Sequence, residues 1–315
     1  MKYYIGVDIS KNRLDVDWLG EATYFKNDTP GISNLVEQLQ LLAQEEKLAV
    51  VLCEASGGYE QTLVKCCRQA KLPIHVVHAN RIRYFARSQG IKAKTDKIDA
   101  KMISAYGAER KPQEDTFLLS ENAEKIRTFL KRREQLLADK KRETNRLDKI
   151  DDLDIKALIN AHIEWLNKSI KELESILSEL QKAEDVSEAI KLLTSVPGVG
   201  NLLACYLLTY LPELGQLSHK AIAALVGVAP FNQDSGQYKG KRFIQGGRSV
   251  LRQMLYMAAM TSIKWNPDLK VFYKRLRDAG KPGKKALVAV MRKLLSIINS
   301  VVIRQTPWQA VYKSS

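Results

Sequence analysis

The sequence is poor in cysteine and histidine, with four of each in 315 residues. The cysteines are Cys53, Cys66, Cys67 and Cys205; two are adjacent and no CxxC pair occurs. That spacing excludes a zinc knuckle and a disulfide framework, and it reads as reduced thiols in a cytoplasmic protein. His75 and His78 make an HxxH, but PIHVVH reads as a strand, on which residues three apart point to opposite faces. A His-based metal site is therefore disfavoured. No apolar run reaches the length of about 18 residues that a membrane span needs. The opening MKYYIGVDIS enters a strand pattern at once, without the apolar stretch and small-residue cleavage site of a secretory leader. A GxxxxGK[ST] phosphate loop is missing, as is a second copy of the YIGVD strand. Both absences speak against an actin-like ATPase or sugar kinase.

Glycine and proline vanish from residues 115–185, and acidic residues nearly vanish from residues 239–293. The second deficit shapes the charge. The net charge is +15, and residues 239–293 hold 15 basic residues against 2 acidic ones. The block includes Lys239, Lys241, Arg242, Arg248, Arg252, Lys270, Lys274, Arg275, Arg277, Lys281, Lys284 and Lys285, with Phe243, Tyr256, Trp265, Phe272 and Tyr273 interleaved. Such concentration is the footprint of a polyphosphate partner, and the aromatics favour nucleic acid over a membrane surface. Lys239, Lys241, Arg242, Arg248 and Arg252 are the candidate phosphate contacts.

A composition of 45% apolar and 27% charged residues is globular, and the length fits about two domains. Residues 3–8, 13–19 and 22–26 read as strands, 31–45 as an amphipathic helix, and 48–54 (LAVVLCE) as a strand buried on both faces. Helix 59–70, strand 73–78 and helices 80–88 and 96–108 come next. A meander and then parallel crossovers is the order of an RNase H-like α/β domain, although the pattern alone fixes only the α/β class. Beyond it, Leu166, Ile170, Leu173, Leu177 and Leu180 form an a/d seam. An earlier arm from Glu121 to Leu147 carries Ile126, Leu130, Leu137 and Leu147, with a turn at Asp148–Asp154. Antiparallel coiled coil and ordinary bundle helices both satisfy this pattern, and either can serve as a dimer contact. Residues 188–230 are apolar and helical around Val196-Pro197-Gly198-Val199-Gly200, a helix–hairpin–helix pattern. Gly198 and Gly200 would let backbone amides approach a phosphate.

Four acids stand out. Asp8 ends the first strand and Glu54 the buried one, and an acid there is costly unless paired. Asp96 and Asp99 sit in KTDKIDA, where Thr95 can cap a helix and the i, i+3 spacing puts both on one face. Read singly, Asp96 could be a helix-start charge, and Asp8 a hairpin residue like Asp15 and Asp17 on the second strand. Read together, they are hard oxygen donors for divalent cations, and two Mg²⁺ ions so held stabilise the attacking and leaving oxygens of phosphoryl transfer.

These residues resemble the DEDD transposases of the IS110 insertion-sequence family. GVDISK, EASGGYE and KTDKIDA are similar to that family's DEDD set in its RuvC-like domain. VPGVG, Gly227-Val228-Ala229-Pro230, Asp234-Ser235-Gly236 and KGKRFIQGGRSVLRQMLYMAA are similar to its second domain. The resemblance spans essentially the whole chain. It implies a RuvC-like catalytic domain at 1–108, a helical coiled-coil assembly region at 109–186 and a mainly α domain at 187–315. It further implies that Ser235 is a nucleophile forming a 5′-phosphoserine link to DNA, that a structured noncoding RNA guides the reaction, and that the protein works as a dimer or a dimer of dimers. From the residues alone Ser235 is a loop serine in NQDSGQYKGKR, with no histidine nearby to activate it. Two rival readings use the same residues. In a junction-resolving nuclease water replaces Ser235; a non-enzymatic DNA-binding protein leaves Glu54 and the Asp96/Asp99 pair unexplained.

Overall fold

The computed structural model describes residues 2–90, 96–112, 119–231, 234–235, 238–239 and 243–310, with the backbone alone described at 96–98, 231, 234–235, 238–239 and 243. Lys241 and Arg242 thus lie outside the described residues. The chain divides into two compact units, Met1–Thr116 and Phe117–Ser315.

The first unit is built on β1 (Tyr3–Ile9), β2 (Arg13–Trp18), β3 (Glu21–Lys26), α1 (Thr29–Gln44), β4 (Leu48–Glu54), α2 (Gln61–Gln69), β5 (Ile74–Val77), α3 (Ala79–Ser88) and α4 (Asp96–Arg110). The sheet order is β3-β2-β1-β4-β5. β2 runs antiparallel to both β1 and β3, while β4 is parallel to β1 and β5 to β4. This is the meander-then-crossover order of the RNase H-like expectation. Leu19 and Gly20, both at positive φ, close the two-residue β2–β3 hairpin, as a turn matched to strand twist requires.

Strand alternation sorts the sheet into two faces. Ile5, Val7, Leu14, Val16, Val51 and Cys53 pack with the α1 and α2 leucines in one cluster. Val50, Leu52 and Val77 pack with Ile82, Met102 and Ile103 of α3 and α4 in another. The continuous apolar run of β4 is thereby explained, since both its faces are covered. α1 begins two residues earlier than its period indicated, because the Asp28 carboxylate accepts from the Gly31 amide at 2.8 Å and caps it.

The second unit is helical: α5 (Glu121–Leu147), α6 (Leu153–Leu180), α7 (Glu184–Thr194), α8 (Asn201–Tyr210), α9 (His219–Val226), α10 (Ser249–Trp265), α11 (Pro267–Asp278) and α12 (Gly283–Arg304). Among the described residues, four two-residue strands lie between α9 and α10: β6 (Pro230–Phe231), β7 (Asp234–Ser235), β8 (Tyr238–Lys239) and β9 (Phe243–Ile244). α5 and α6 form an antiparallel hairpin whose seam is Leu166, Ile170, Leu173 and Leu177. On α5 the seam position is Leu136, fully covered, whereas the expected Leu137 is 38% exposed. Ile126 and Leu130 share one continuous core with α7 to α12, so the base of the hairpin belongs to the same packed body as the C-terminal helices. α12 is long and apolar enough by composition to cross a membrane. Here Ala286, Leu287, Val290, Met291, Leu294, Leu295 and Ile298 bury it in that core.

Candidate active site

Asp8 and Glu54 stand on neighbouring strands. In the parallel β1/β4 ladder Val7 is level with Cys53, so the next residue on each strand, Asp8 and Glu54, comes at the same end of the sheet. Their face follows from Gly6, two residues before Asp8. A Cβ on Gly6 would meet the Ser104 amide nitrogen of α4 at 2.5 Å and the Ser104 Oγ at 2.8 Å. Gly6 therefore faces α4, and so does Asp8 by strand period. Leu52 lies in the α4 cluster, which puts Glu54 on that face too.

α4 is seated on β1 by the absence of a side chain at Gly6. The Gly6 amide donates to Ser104 Oγ at 2.7 Å across a buried contact. A Cβ on Gly107, two turns along α4 from Ala100, would meet Leu52 and Tyr4 at 2.7 and 2.8 Å. The helix thus begins at the carboxyl end of β1 and runs back along it. Asp99 directly precedes Ala100, whose carbonyl lies against Gly6. Asp96 lies one turn earlier still, on the stripe of Ala100, Ile103 and Gly107 by helical spacing. The first turn of α4 therefore places two acidic positions over the sheet end that carries Asp8 and Glu54. Asp8, Glu54 and Asp99 are half-buried, and each engages another group of the protein. Among the described residues no three acidic, histidine or cysteine side chains are gathered tightly enough to enclose an ion; of Asp96 only the backbone is described. In kind, an all-carboxylate set suits a hard divalent cation.

Two features of this site escaped the sequence. Asp15 is the register partner of Asp8, and it is 4% exposed. It is a buried acid on the α4 face, not a hairpin residue. The Arg13 guanidinium grips it through Nε and Nη2, at 2.9 and 2.6 Å, and itself lies over the Tyr24 ring at 4.3 Å. Asp17, also buried, shares the face by strand period. The second feature is Glu60. Its Oε2 accepts from the Ser56 hydroxyl at 2.7 Å, the Gly58 amide at 2.8 Å and the Ser56 amide at 3.1 Å. It ties off the loop that directly follows Glu54, in which Gly57 and Gly58 both take positive φ. Burial raises the Glu60 carboxyl. The hydrogen bonds from its own amide, the Ser56 hydroxyl, and the Gly58 and Ser56 amides outweigh that, holding it below its ordinary value of 4.5. The signal for Glu60 was present in EASGGYE: an acid four residues after a serine, across two glycines.

In the second unit Ser235 lies on β7, level with Tyr238 of β8, while Asp234 is level with Lys239. On either side of this segment β6 and β9 pair, with Pro230 level with Ile244. Its base is clamped by glycines. Gly227 ends α9 at φ +78, and Gly247 at φ +65 approaches so closely that an added Cβ would meet the Gly227 Cα at 2.7 Å. This contact accounts for the glycines of GVAP and GGR that flank Ser235 in sequence. Two of the expected phosphate contacts take part in the clamp. Arg248 makes a two-armed ion pair with Glu213, at 2.5 and 2.7 Å, and Arg252 Nη1 donates to the Gly246 carbonyl. Both guanidiniums are engaged by the protein itself. Lys239 sits on β8, of which only the backbone is described.

The turn between α7 and α8 has its own packing reason. Gly198, at φ +98, lies against α10, where an added Cβ would meet the Ser262 Cα and Cβ at 2.8 Å. Gly200, the N-cap of α8, faces open space. The Cβ direction is thus filled at Gly198 and open at Gly200.

Two family models match the chain. Residues 5–152 match the DEDD IS110 model, described as a transposase, and residues 190–274 match the model described as the transposase IS116/IS110/IS902 family. The chain is similar to the pilin gene-inverting proteins of Moraxella bovis and Moraxella lacunata, at 29% identity over 319 residues, covering 98% of each chain. It also resembles the insertion element IS110 43.6 kDa protein of Streptomyces coelicolor, at 29% identity over 40% of this chain and 31% of that one. Among solved structures, Thermus thermophilus RuvC in complex with a Holliday junction substrate aligns to 36% of this chain and 99% of its own, with 12% identity and a TM-score of 0.25.

Proposed function

The chain belongs to the IS110 family of transposases, and from that premise we propose that it is a DNA recombinase in which Asp8, Glu54, Asp96 and Asp99 hold two Mg²⁺ ions and Ser235 is the nucleophile. The carrying observation is the first unit's geometry. Two strand-end acids on adjacent central strands lie beneath the acidic first turn of α4. When bound, the ions would supply Lewis-acid stabilisation to the charge that develops on the transferring phosphate.

The Ser235 Oγ bonds to phosphorus as the bond from phosphorus to the 3′ oxygen breaks. The hydroxyl proton is lost, and the departing 3′ oxygen takes one up. The products are a 5′-phosphoserine and a free 3′-hydroxyl, so the phosphodiester is exchanged rather than hydrolysed. Attack by a 3′-hydroxyl from another strand reverses the step and rejoins the DNA. Support for Ser235 comes from the family premise and from its place on β7, between the paired strands β6 and β9.

The exposed lysines and arginines of α11 and the start of α12 are suited to phosphate backbones, DNA or a structured guide RNA. In a guided reaction base pairing reads sequence while the protein reads backbone and shape. The outer half of α6 exposes Leu153, Leu158 and Trp165, which supports the hairpin as a contact between copies.

Denaturing electrophoresis after incubation with a donor junction tests the mechanism. A protein–DNA adduct should form with the wild type and be lost in Ser235→Ala and Asp8→Ala. Cutting without an adduct, unchanged in Ser235→Ala, would identify a nuclease using water and remove Ser235 from the site.

A further inference from the structure

The aromatic residues of the basic block differ in what they already touch. Phe272 lies beneath two cations, with Arg275 at 5.3 Å and Lys293 at 4.6 Å from its ring centre. Tyr256 and Tyr273 are half-buried and packed on the helical core. Trp265 is 72% exposed. It is the last residue of α10, and its neighbour Asn266 fixes its backbone. Asn266 is wholly buried, its amide donates to the Ser262 carbonyl at 2.8 Å, and its Oδ1 accepts from the Leu269 amide at 3.2 Å. The indole therefore projects from a rigid corner.

The corner continues into an open helix face. Met257 is 60% exposed and Met260 43%, and with Thr261 and Lys264 they keep helical spacing along the outside of α10. α10 contains no acidic residue. Lys264, Lys270 and Lys274 are exposed beside it in sequence, and Asp268, the one acid in the first turn of α11, is buried.

We propose that Trp265, extended by Met257 and Met260, is a stacking platform for an unpaired DNA strand. The proposal rests on the reading of the basic block as a DNA surface. In a duplex the base faces are already stacked, so an indole and two thioethers add little to a phosphate grip. An unpaired base offers a free π face, and base–aromatic stacking beside lysines is how single strands are held without sequence preference. The positive surround complements a polyanion. Strand exchange between DNA duplexes supplies unpaired DNA.

The test uses the full chain and fluorescence anisotropy with three probes of equal length: a thymidine oligonucleotide, a mixed-sequence DNA duplex and a uridine oligoribonucleotide. Trp265→Ala should weaken the thymidine oligonucleotide by about fivefold or more and leave the duplex within about twofold. Trp265→Phe, which keeps a ring, should fall between. Wild-type tryptophan emission should be quenched by the thymidine oligonucleotide, and the quench should be lost in Trp265→Phe. Equal losses on single strand and duplex, or no loss at all, would overturn the proposal. So would an effect on the ribonucleotide probe alone, or a self-association that Trp265→Ala abolishes while DNA binding is unchanged. The double variant Lys270→Ala/Lys274→Ala separates the two levels. If it weakens all probes while Trp265→Ala weakens none, the stacking claim fails and the basic DNA surface stands. If it weakens none, the DNA surface fails.

Discussion

Adding one methyl group at Gly6 should damage both the stability of the first unit and its chemistry. The Cβ of Gly6→Ala would come 2.5 Å from the Ser104 amide nitrogen, against an ordinary contact of at least 3.4 Å. The obstacle is helix backbone, so no rotamer change relieves it. α4 must move off β1 by about 1 Å, and overpacking of this kind costs about 1–3 kcal/mol. The shift also loosens the buried bond from the Gly6 amide to Ser104 Oγ. For a unit of this size the thermal midpoint should fall by about 4–12 °C. Activity should suffer more, because Asp99 and Asp96 ride on the displaced turn, and a misplacement of about 1 Å can cost about a hundredfold in rate. Calorimetry gives the first number and single-turnover strand cleavage the second. A Gly6→Ala protein that unfolds and cleaves like the wild type would show that α4 is not seated on β1, and the site built here would fall with it.

Other consequences are separable. Glu60→Gln should destabilise the first unit at neutral pH. The native Glu60 carboxyl is depressed, so its contribution is complete above the ordinary carboxylate value and is lost as pH falls through the native value. Denaturant midpoints measured from about pH 3 to pH 7 should therefore converge for the two proteins at the acid end; a difference independent of pH would contradict the charge-assisted loop. Arg248→Ala should cost about 1–3 kcal/mol, because it strands the poorly exposed Glu213 carboxylate, with some discount for the partial exposure of the arginine. It should leave the salt dependence of DNA binding unchanged. Lys284→Ala should show the reverse, with stability unchanged and the log–log salt slope shallower by about 0.9. An Arg248→Ala protein of normal stability and shallower slope would return that residue to the phosphate surface.

Much of the first unit is legible in local pattern. Alternation and apolar runs mark β1 and β4, and Asp8 and Glu54 are conspicuous because each follows directly on an apolar stretch near its strand's carboxyl end. The i, i+3 spacing of Asp96 and Asp99 works because one helix carries both. What depends on pairing across the chain is not legible. Asp15 looks like a turn acid until the β1/β2 register sets it level with Asp8. Arg248 reads as a phosphate contact, and its ion pair with Glu213, 35 positions away, has no local signature. Gly198 reads as a phosphate-approach glycine, and its packing against Ser262 of α10 has no signature in VPGVG. Leu136 and Leu137 differ by one helical step, which a single apolar pattern does not resolve on a hairpin with one shared seam.

The proposed role of Asp8, Glu54, Asp96 and Asp99 is to bind divalent cations. Calorimetric titration of Mg²⁺ and Mn²⁺ into the wild type, Asp8→Asn, Glu54→Gln and Asp99→Asn tests it without depending on DNA, with thermal unfolding as the control for folding. The wild type should bind, and each folded variant should lose at least about tenfold in affinity, about 1.4 kcal/mol or more per carboxylate. Wild-type affinity in all three variants would contradict it.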